Sequence, residues 1–398
     1  MTGIDIQPVR TRRQRRDFLR LPYQINAGLP LWVPPLRSEQ RRELDPRRNP
    51  LYQHARAQWF VAYRGGRPAG RIAAIENQRH NQYWNDRTGF FGYYEAEDDL
   101  QVSRGLFAAA ESWLSERGMD RMRGPANPSM NASGGFLIDG FQYPPSIPMP
   151  YTQPYYPAQA EDYGLAKAMQ LIVYGWNYGR YTQQYIDDTR DRILRLSRYV
   201  QQKHGIVIRG PRRDRVDREL QAIREICNES LKDNWGFVPM TDGEMQAARR
   251  DLERIIDPDM FFVAEIEGRP EAVFLACPDY NQLLARMNGR ILPWGWWIWL
   301  RDRKRIRKYV VYVYATTPRA EAMGVGAALY QRYFDGCFSK GIVDGETGYV
   351  LETNQLMRNS IEKLGAELRK RYQVYEKSIG RSRSPAAGPD RLQSGSGD

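Results

Sequence analysis

Cysteine and histidine are scarce in this chain. Cys227, Cys277 and Cys337 lie far apart with no CxxC pair, and His54, His80 and His204 stand at ligand spacing neither from them nor from one another. That pattern argues against a disulfide framework and against a zinc site, so no metal is expected, and it fits a reducing cytoplasmic compartment. Also missing is any apolar run near the ~20 residues that span a bilayer. The longest, Ile291 to Leu300, is broken by Pro293 and Gly295. The first residues carry arginines with no apolar stretch behind them, so they do not read as a signal peptide.

What is present is a long basic chain with globular composition. Its 398 residues suffice for two domains with separate cores, and 41% apolar with 27% charged residues is ordinary for folded protein. A net charge of +12 attracts nucleic acid, anionic lipid or phosphorylated ligands without choosing among them, and an arginine-rich composition alone also produces it.

Two α/β halves, residues 1–205 and 206–380, each alternate short strand-like runs with amphipathic helical stretches. Gln58–Tyr63, a Gly65-Gly66 turn and Gly70–Ile75 read as a hairpin; Met260–Ile266, Glu267-Gly268 and Glu271–Ala276 read as its counterpart. Near the end of each half a glycine (Gly164, Gly365) precedes a tyrosine by ten residues (Tyr174, Tyr375) and follows an amide side chain by eleven (Gln153, Asn354). Three matches in register predict an internal repeat of about 200 residues. The last stretch, 381–398, is rich in Ser, Gly and Pro and predicts a disordered tail.

The chemistry concentrates in the second half. A strand from Tyr309 to Thr316 leads through a short loop to Met323-Gly324-Val325-Gly326 and a helix rich in alanine, leucine and aromatics. Glycines at a strand–helix junction let backbone N–H groups approach a ligand, and the helix's first turn adds unsatisfied donors and the positive dipole end. The junction reads either as an anion site or as a plain strand–turn–helix whose glycines serve close packing, and the residues around it weigh for the first. With Pro318 six residues before the first glycine, and Asn354 and Gly365 further on, the segment resembles the glycine-loop motif of the GNAT superfamily of acyltransferases.

The resemblance covers about 170 residues well and the first half more faintly. It implies two GNAT-like mixed-sheet domains in tandem, the first degenerate and serving as an acceptor-side wall. It also implies that amides around Ala322, Met323, Gly324, Val325, Gly326 and Ala327 hold the pyrophosphate of acyl-CoA. The strand end at Tyr314, Ala315 and Thr316 would pair with the pantetheine arm, and its amides near Thr316 would polarise the thioester carbonyl. Two departures stand out: Glu321 occupies the position where the family has arginine or glutamine, and Ile361 the position of the tyrosine that protonates the leaving thiolate. That acid is then missing or supplied from elsewhere, Tyr372 and Tyr375 being the nearby candidates if they are not core residues; water, Glu352 or Glu265 would take the proton of the acceptor amine, and Asn354 matches the family's asparagine. In the first half acidic residues (95–99) follow the third strand, so no CoA is expected there, and the Pro/Gly-rich loop from Gly124 to Pro157 is expected to form a binding wall.

An insertion from Pro278 to Lys308 carries Trp294, Trp296, Trp297 and Trp299, then Arg301, Arg303 and further cations. Indoles beside cations are what a membrane interface selects, so peripheral contact with the inner face of the cytoplasmic membrane is expected, against the alternative of a buried plug with a solvated basic flank. With Trp32-Val-Pro-Pro-Leu36, Arg48-Asn-Pro-Leu-Tyr52 and two such halves in 398 residues, the chain resembles a set of bacterial tandem GNAT proteins that includes the ceramide synthases. The implied reaction is N-acylation of a lipid-like amine, such as a sphingoid base. The rival readings are a soluble acetyltransferase for a small amine, an enzyme served by acyl carrier protein, and a non-enzymatic nucleic-acid binder. Nucleic acid is not the expected partner.

Overall fold

In the computed structural model, residues 3–380 other than 213, 215 and 254 are described. The tail expected at 381–398 lies outside them. The first half lays down β1 (Ile4–Pro8), β2 (Ala55–Arg64), β3 (Arg67–Asn77), β4 (Thr88–Ala96), β5 (Arg121–Gly124), β6 (Phe136–Asp139) and β7 (Ala166–Asn177). The second lays down β8 (Ile206–Arg209), β9 (Phe261–Ile266), β10 (Arg269–Pro278), β11 (Lys308–Thr316), β12 (Asp344–Glu346), β13 (Val350–Leu351) and β14 (Glu367–Ser378). Both hairpins turn on two residues of positive φ, Gly65-Gly66 and Glu267-Gly268, the backbone that matches the twist of the flanking strands.

Each half runs antiparallel through its first four strands and then places one parallel strand, β5 beside β4 and β12 beside β11. Parallel neighbours need a crossover, supplied by the helices Leu100–Ser115 and Val325–Lys340. The first buries Leu106, Phe107, Ala110 and Leu114 along one face, at three- and four-residue spacing. Each such side chain taken fully from water contributes about 1.5–3 kcal/mol.

The halves do not close separately. β14 lies between β5 and β7, and β7 lies between β14 and β12, so one sheet of fourteen strands runs through the molecule. Chain order divides near residue 205, but the hydrogen bonding exchanges each half's last strand into the other. A pseudo-twofold relation follows. Tyr174 Oη donates to Glu362 at 2.6 Å, and Tyr375 Oη donates to Glu161 at 3.1 Å. Partner residues in the two bonds stand 201 apart, as do Gly164 and Gly365, which end the helices Tyr156–Asp162 and Gln355–Lys363 at the same φ of 85°.

Beside this seam six charges lie against one another. Glu346, with no exposed surface, takes Lys370 at 2.6 Å, Lys308 at 3.1 Å and Ser146 Oγ at 2.7 Å. Arg369 bridges Glu346 and Asp344, and Lys308 also faces Asp279. Three cations against three carboxylates leave the cluster neutral.

Candidate active site

β11 and β12 touch only from Lys308 to Val310 on one and Asp344 to Glu346 on the other. Beyond Glu346 the chain turns away: Thr347 N donates to Tyr174 O, and β13 pairs with β7. From Val311 onward β11 therefore has no strand partner on that side, and a wedge opens. Tyr312 is the extra residue of a bulge in β11, since Leu275 faces Val313 while Ala276 faces Val311. Such a bulge bends the strand and re-aims its side chains.

The wedge continues into a cavity of about 1100 Å³ roofed by the helices Val216–Leu231 and Asp242–Leu252. Ile223, Cys227, Met240, Leu252, Val273 and Leu275 make most of its wall hydrocarbon. Burial pushes the Cys227 thiol up to about 12, so this cysteine is a wall group rather than a nucleophile. Met130, Asn131, Pro148 and Met149 from the first-half loop close the far end, facing Asn234, Trp235 and Phe237. Asn131 fastens the two sides, donating to Val238 O at 2.6 Å and accepting from Val238 N at 3.1 Å.

Glu321 and Tyr330 line the cavity from either side of the glycine junction, whose own residues 322–327 are not in the wall. Gly324 sits at φ 74° and precedes the helix Val325–Lys340, whose first turn no side chain caps. Gly326 has a second reason to be glycine: a Cβ there would stand 2.8 Å from Tyr314 Oη. Tyr314 stacks on Tyr330 with ring centroids 5.5 Å apart and planes nearly parallel, and burial raises both phenols above the ordinary range. Ala322 and Glu321 are exposed, while Met323 and Ala327 are half-buried against the core.

Several expected site residues stand elsewhere. Glu265 is buried and faces Arg209 and Arg212 in ion pairs at 2.8 and 3.0 Å, and it is not itself part of the cavity wall. Glu352 accepts Gln170 N at 2.8 Å, so its carboxylate holds the β7 edge. Tyr375 is sealed in the first-half core, because strand exchange carries β14 there. Tyr372 lies behind Tyr349, its hydroxyl donating to Pro150 O at 3.1 Å. None of the four faces the wedge. Thr316 does line it, but its amide donates to Ser230 Oγ at 3.1 Å and is not available to a carbonyl. Tyr314, Ala315 and Asn354 also line it, and Asn354 caps the helix Gln355–Lys363 by accepting Met357 N.

Sequence reasoning missed Tyr330, Tyr349 and Ser230. Tyr330 had a usable signal: it lies four residues, one helical turn, after Gly326. Its hydroxyl is 3.9 Å from Met357 Sδ, one turn before Ile361, so it approaches the place of the missing family tyrosine from the opposite helix.

The first half has no such opening. Ala126 N donates to Phe91 O at 2.8 Å and Asn127 Oδ1 accepts Tyr93 N at 2.6 Å, stitching the strands where the second half splays. Asp99 caps the helix Leu100–Ser115, accepting Gln101 N at 2.7 Å and Val102 N at 3.4 Å.

Comparison with known proteins decides the family. The chain is 34% identical over 385 residues to a protein named bacterial ceramide synthase from Caulobacter vibrioides, covering 94% of this chain and 98% of that one. The chain belongs to the bacterial ceramide synthase family. It is also 33% identical over 381 residues to Protein YghO of Escherichia coli, covering 93% and 95% of the two chains. No protein-family model matches it. Among solved structures it resembles a tandem GNAT protein from the clavulanic acid biosynthesis pathway (TM-score 0.57, 12% identity, 96% of this chain and 100% of that). A GCN5-related N-acetyltransferase from Sphaerobacter thermophilus follows (TM-score 0.52, 12% identity, 94% and 96%). These likenesses show a tandem GNAT fold, and membership of the family makes the chain an acyltransferase. The wedge opens beside β11 in the second half, and the first half has no counterpart to it.

The tryptophan insertion is no buried plug. Leu292, Trp294 and Trp297 are 72%, 73% and 51% exposed on and before the helix Gly295–Asp302, and of its tryptophans Trp299 turns inward beside Ile298, stacking on Tyr280 at 4.5 Å. Asp302 gathers Arg286, Arg301 and Arg305 and is held well below the usual carboxylate range, Arg301 contributing most. Among the described residues no helix is long and apolar enough to cross a membrane.

Proposed function

We propose that this enzyme transfers a long acyl chain from acyl-CoA to the amine of a long-chain lipid, with a sphingoid base as the fitting acceptor. The observation that carries the reading is the cavity of about 1100 Å³ with a largely hydrocarbon wall at the β11 wedge. An acetyl group needs none of that wall, whereas each methylene buried there contributes about 0.8 kcal/mol. The name of the Caulobacter relative points the same way.

In this reading the pyrophosphate rests on the uncapped amides after Gly324, and the pantetheine runs along the free edge of β11. The acceptor amine enters from the end walled by Met130, Met149 and Trp235, loses its proton to water and attacks the thioester. Tyr330 holds the departing sulfur. Its raised phenol keeps its proton beside a thiolate of ordinary pKa near ~8.5, so it stabilises the leaving group as a hydrogen-bond donor rather than giving the proton up. Delivery of both greasy substrates would take place at the inner face of the cytoplasmic membrane. The inward side of the tryptophan helix packs on Ile147 and Ile255, whose neighbours Pro148 and Ile256 line the cavity.

The test is donor preference with a sphingoid base as acceptor. Palmitoyl-CoA is expected to turn over far faster than acetyl-CoA, and Gly324→Glu to abolish donor binding measured by thermal shift. Preference for acetyl-CoA would overturn the lipid reading. Turnover from acyl carrier protein with weak CoA affinity would transfer it to a carrier-dependent enzyme, a donor that the chain's positive charge also suits.

A further inference from the structure

A second cavity, of about 490 Å³, lies between the helices Arg12–Ile25 and Arg37–Glu43 and is lined by arginine. On the first helix Phe18, Leu21 and Pro22 face the core, which leaves Arg12, Arg15, Arg16 and Arg20 together on the cavity side at three- and four-residue spacing. Arg37 and Arg41 face them from the second helix. Among the described residues Arg12, Arg15, Arg20 and Arg41 have no carboxylate within ion-pair distance. Asp45 is the one acid in the wall, and it lies nearest Arg48 at 3.7 Å. Arg37 packs its guanidinium over the Tyr23 ring at 4.7 Å while its Nε is buried without an acceptor. Arg16 has Asp17 at 3.8 Å and Arg48 has Asp45, but the other arginines of the wall share one cavity without such partners, so an anion of several charges would stabilise the arrangement.

This cavity adjoins the tryptophan insertion. Arg37 N donates to Gly289 O at 3.1 Å, and a Cβ on Gly289 would stand 2.8 Å from the Tyr23 ring. Two residues later the exposed run Ile291, Leu292, Trp294, Trp296, Trp297 and Leu300 begins. The cations of the helix end flank that run on one side, and the arginine cavity on the other.

We infer that the arginine-lined cavity and the tryptophan knob form one docking face for an anionic phospholipid bilayer. The arginines take headgroup phosphates while the indoles enter the interface. Phosphate alone would account for the cavity, and an acidic carrier protein for the charge, but neither uses six exposed apolar side chains beside it. A bilayer with anionic headgroups uses both. The inference draws its biological sense from the proposed lipid-acting enzyme, yet the binding it predicts involves no acyl transfer.

The full chain is sedimented with vesicles of phosphatidylcholine alone and of phosphatidylcholine mixed with phosphatidylglycerol. Binding is expected chiefly to the mixed vesicles and to fall with salt. Arg16→Gln/Arg20→Gln should weaken it about 30-fold, at about fivefold per arginine near an anionic surface. Arg195→Gln/Arg198→Gln removes the same charge from exposed positions on the helix Gln183–His204 and should leave binding as it was. Trp296→Ala/Trp297→Ala should weaken binding to both kinds of vesicle. Equal loss in the two arginine pairs, no loss in the first, or retention by an acidic carrier protein with no vesicle binding would each overturn the inference. Acyl transfer from palmitoyl-CoA to a detergent-dispersed base, run in parallel, separates the two readings. Failure of wild-type transfer sinks the proposed reaction and leaves the vesicle result standing. Normal transfer with vesicle binding indifferent to Arg16 and Arg20 sinks the docking face alone.

Discussion

Replacing Glu346 by glutamine removes the carboxylate that three buried cations share. It accepts Lys370 and Ser146 on one oxygen, at 2.6 and 2.7 Å, and Lys308 and Arg369 on the other, at 3.1 and 3.4 Å. The substitution leaves three buried cations against Asp279 and the part-exposed Asp344, a net charge of +1. Removing one partner from a buried ion pair costs about 3–5 kcal/mol. Burial already pulls Lys370 down, with Glu346 the main force holding it up, so the variant is expected to shed that proton, which limits the loss. Unfolding entropy of about 2.1 cal/mol/K per residue over 398 residues converts this cost to a fall of about 4–6 °C in Tm by calorimetry near neutral pH. Since Glu346 pairs with Val310 where β11 and β12 last touch, acyl-CoA binding should weaken as well. The cations hold the Glu346 carboxyl at about 2, below its ordinary 4.5. Its stabilisation is therefore full above pH 4.5 and lost as pH falls toward 2, and the gap between wild type and variant should narrow over that window. Glu346→Gln/Lys370→Met restores neutrality and should cost less than the two single changes added, by more than about 1 kcal/mol. A Tm within about 1 °C of wild type for the single variant would refute the electrostatic reasoning.

Three further outcomes follow from the same geometry. Tyr330→Phe should lower kcat roughly 10- to 100-fold with long-chain donors, the worth of one hydrogen bond to a charged group, while KM for the donor moves little; an unchanged kcat assigns Tyr330 to packing. Burial lowers His80 from 6.5 to about 4, and neither ring nitrogen has a partner. The unfolded chain then takes up a proton that the folded chain refuses, so wild-type stability should drop by on the order of 3 kcal/mol as pH falls from 6.5 to 4, and denaturant titrations of His80→Leu should lack that part of the fall. Tyr174→Phe and Tyr375→Phe should destabilise by similar amounts, about 0.5–1.5 kcal/mol each, with Tyr375→Phe leaving turnover intact; loss of turnover at normal Tm would return Tyr375 to the chemistry.

Local chemistry was legible in the sequence; partners far along the chain were not. Gly65-Gly66 and Glu267-Gly268 announced their hairpins because a two-residue turn constrains its own residues. Gly324 announced the junction because positive φ before a helix is a local demand. The repeat showed through Gly164, Gly365 and the tyrosines ten residues on, since the same turn and strand recur. Tyr375 was misplaced because its surroundings depend on strand exchange, a pairing of β14 with β5 across some 250 residues that no window detects. Glu352 and Glu265 looked available for the same reason: their partners, Gln170 N and Arg209, lie 182 and 56 residues away. Tyr330 went unread because an aromatic residue on a helix face beside Phe and Leu has the spacing of core.

The two halves differ less in architecture than in what fills the wedge. Where the second half leaves the edge of β11 free past Val310, the first places Ala126 N on Phe91 O and the Asn127 side chain on Tyr93 N. Where the second leaves the helix after Gly324 uncapped, the first puts the carboxylate of Asp99 on the opening amides of its helix. A pantetheine amide pairs with a strand edge, and a phosphate binds a helix N-terminus, through the same donors and acceptors that Asn127 and Asp99 satisfy. The first half thus carries, in its own chain, groups that stand where a donor would stand. That substitution frees the loop from Gly124 onward, the stretch that closes the first wedge, to reach across and wall the second through Met130, Asn131 and Met149. Asn127 on the first strand edge and Met130, Asn131 and Met149 in the second half's cavity wall belong to that one loop, while Asp99 closes the first helix end from outside it.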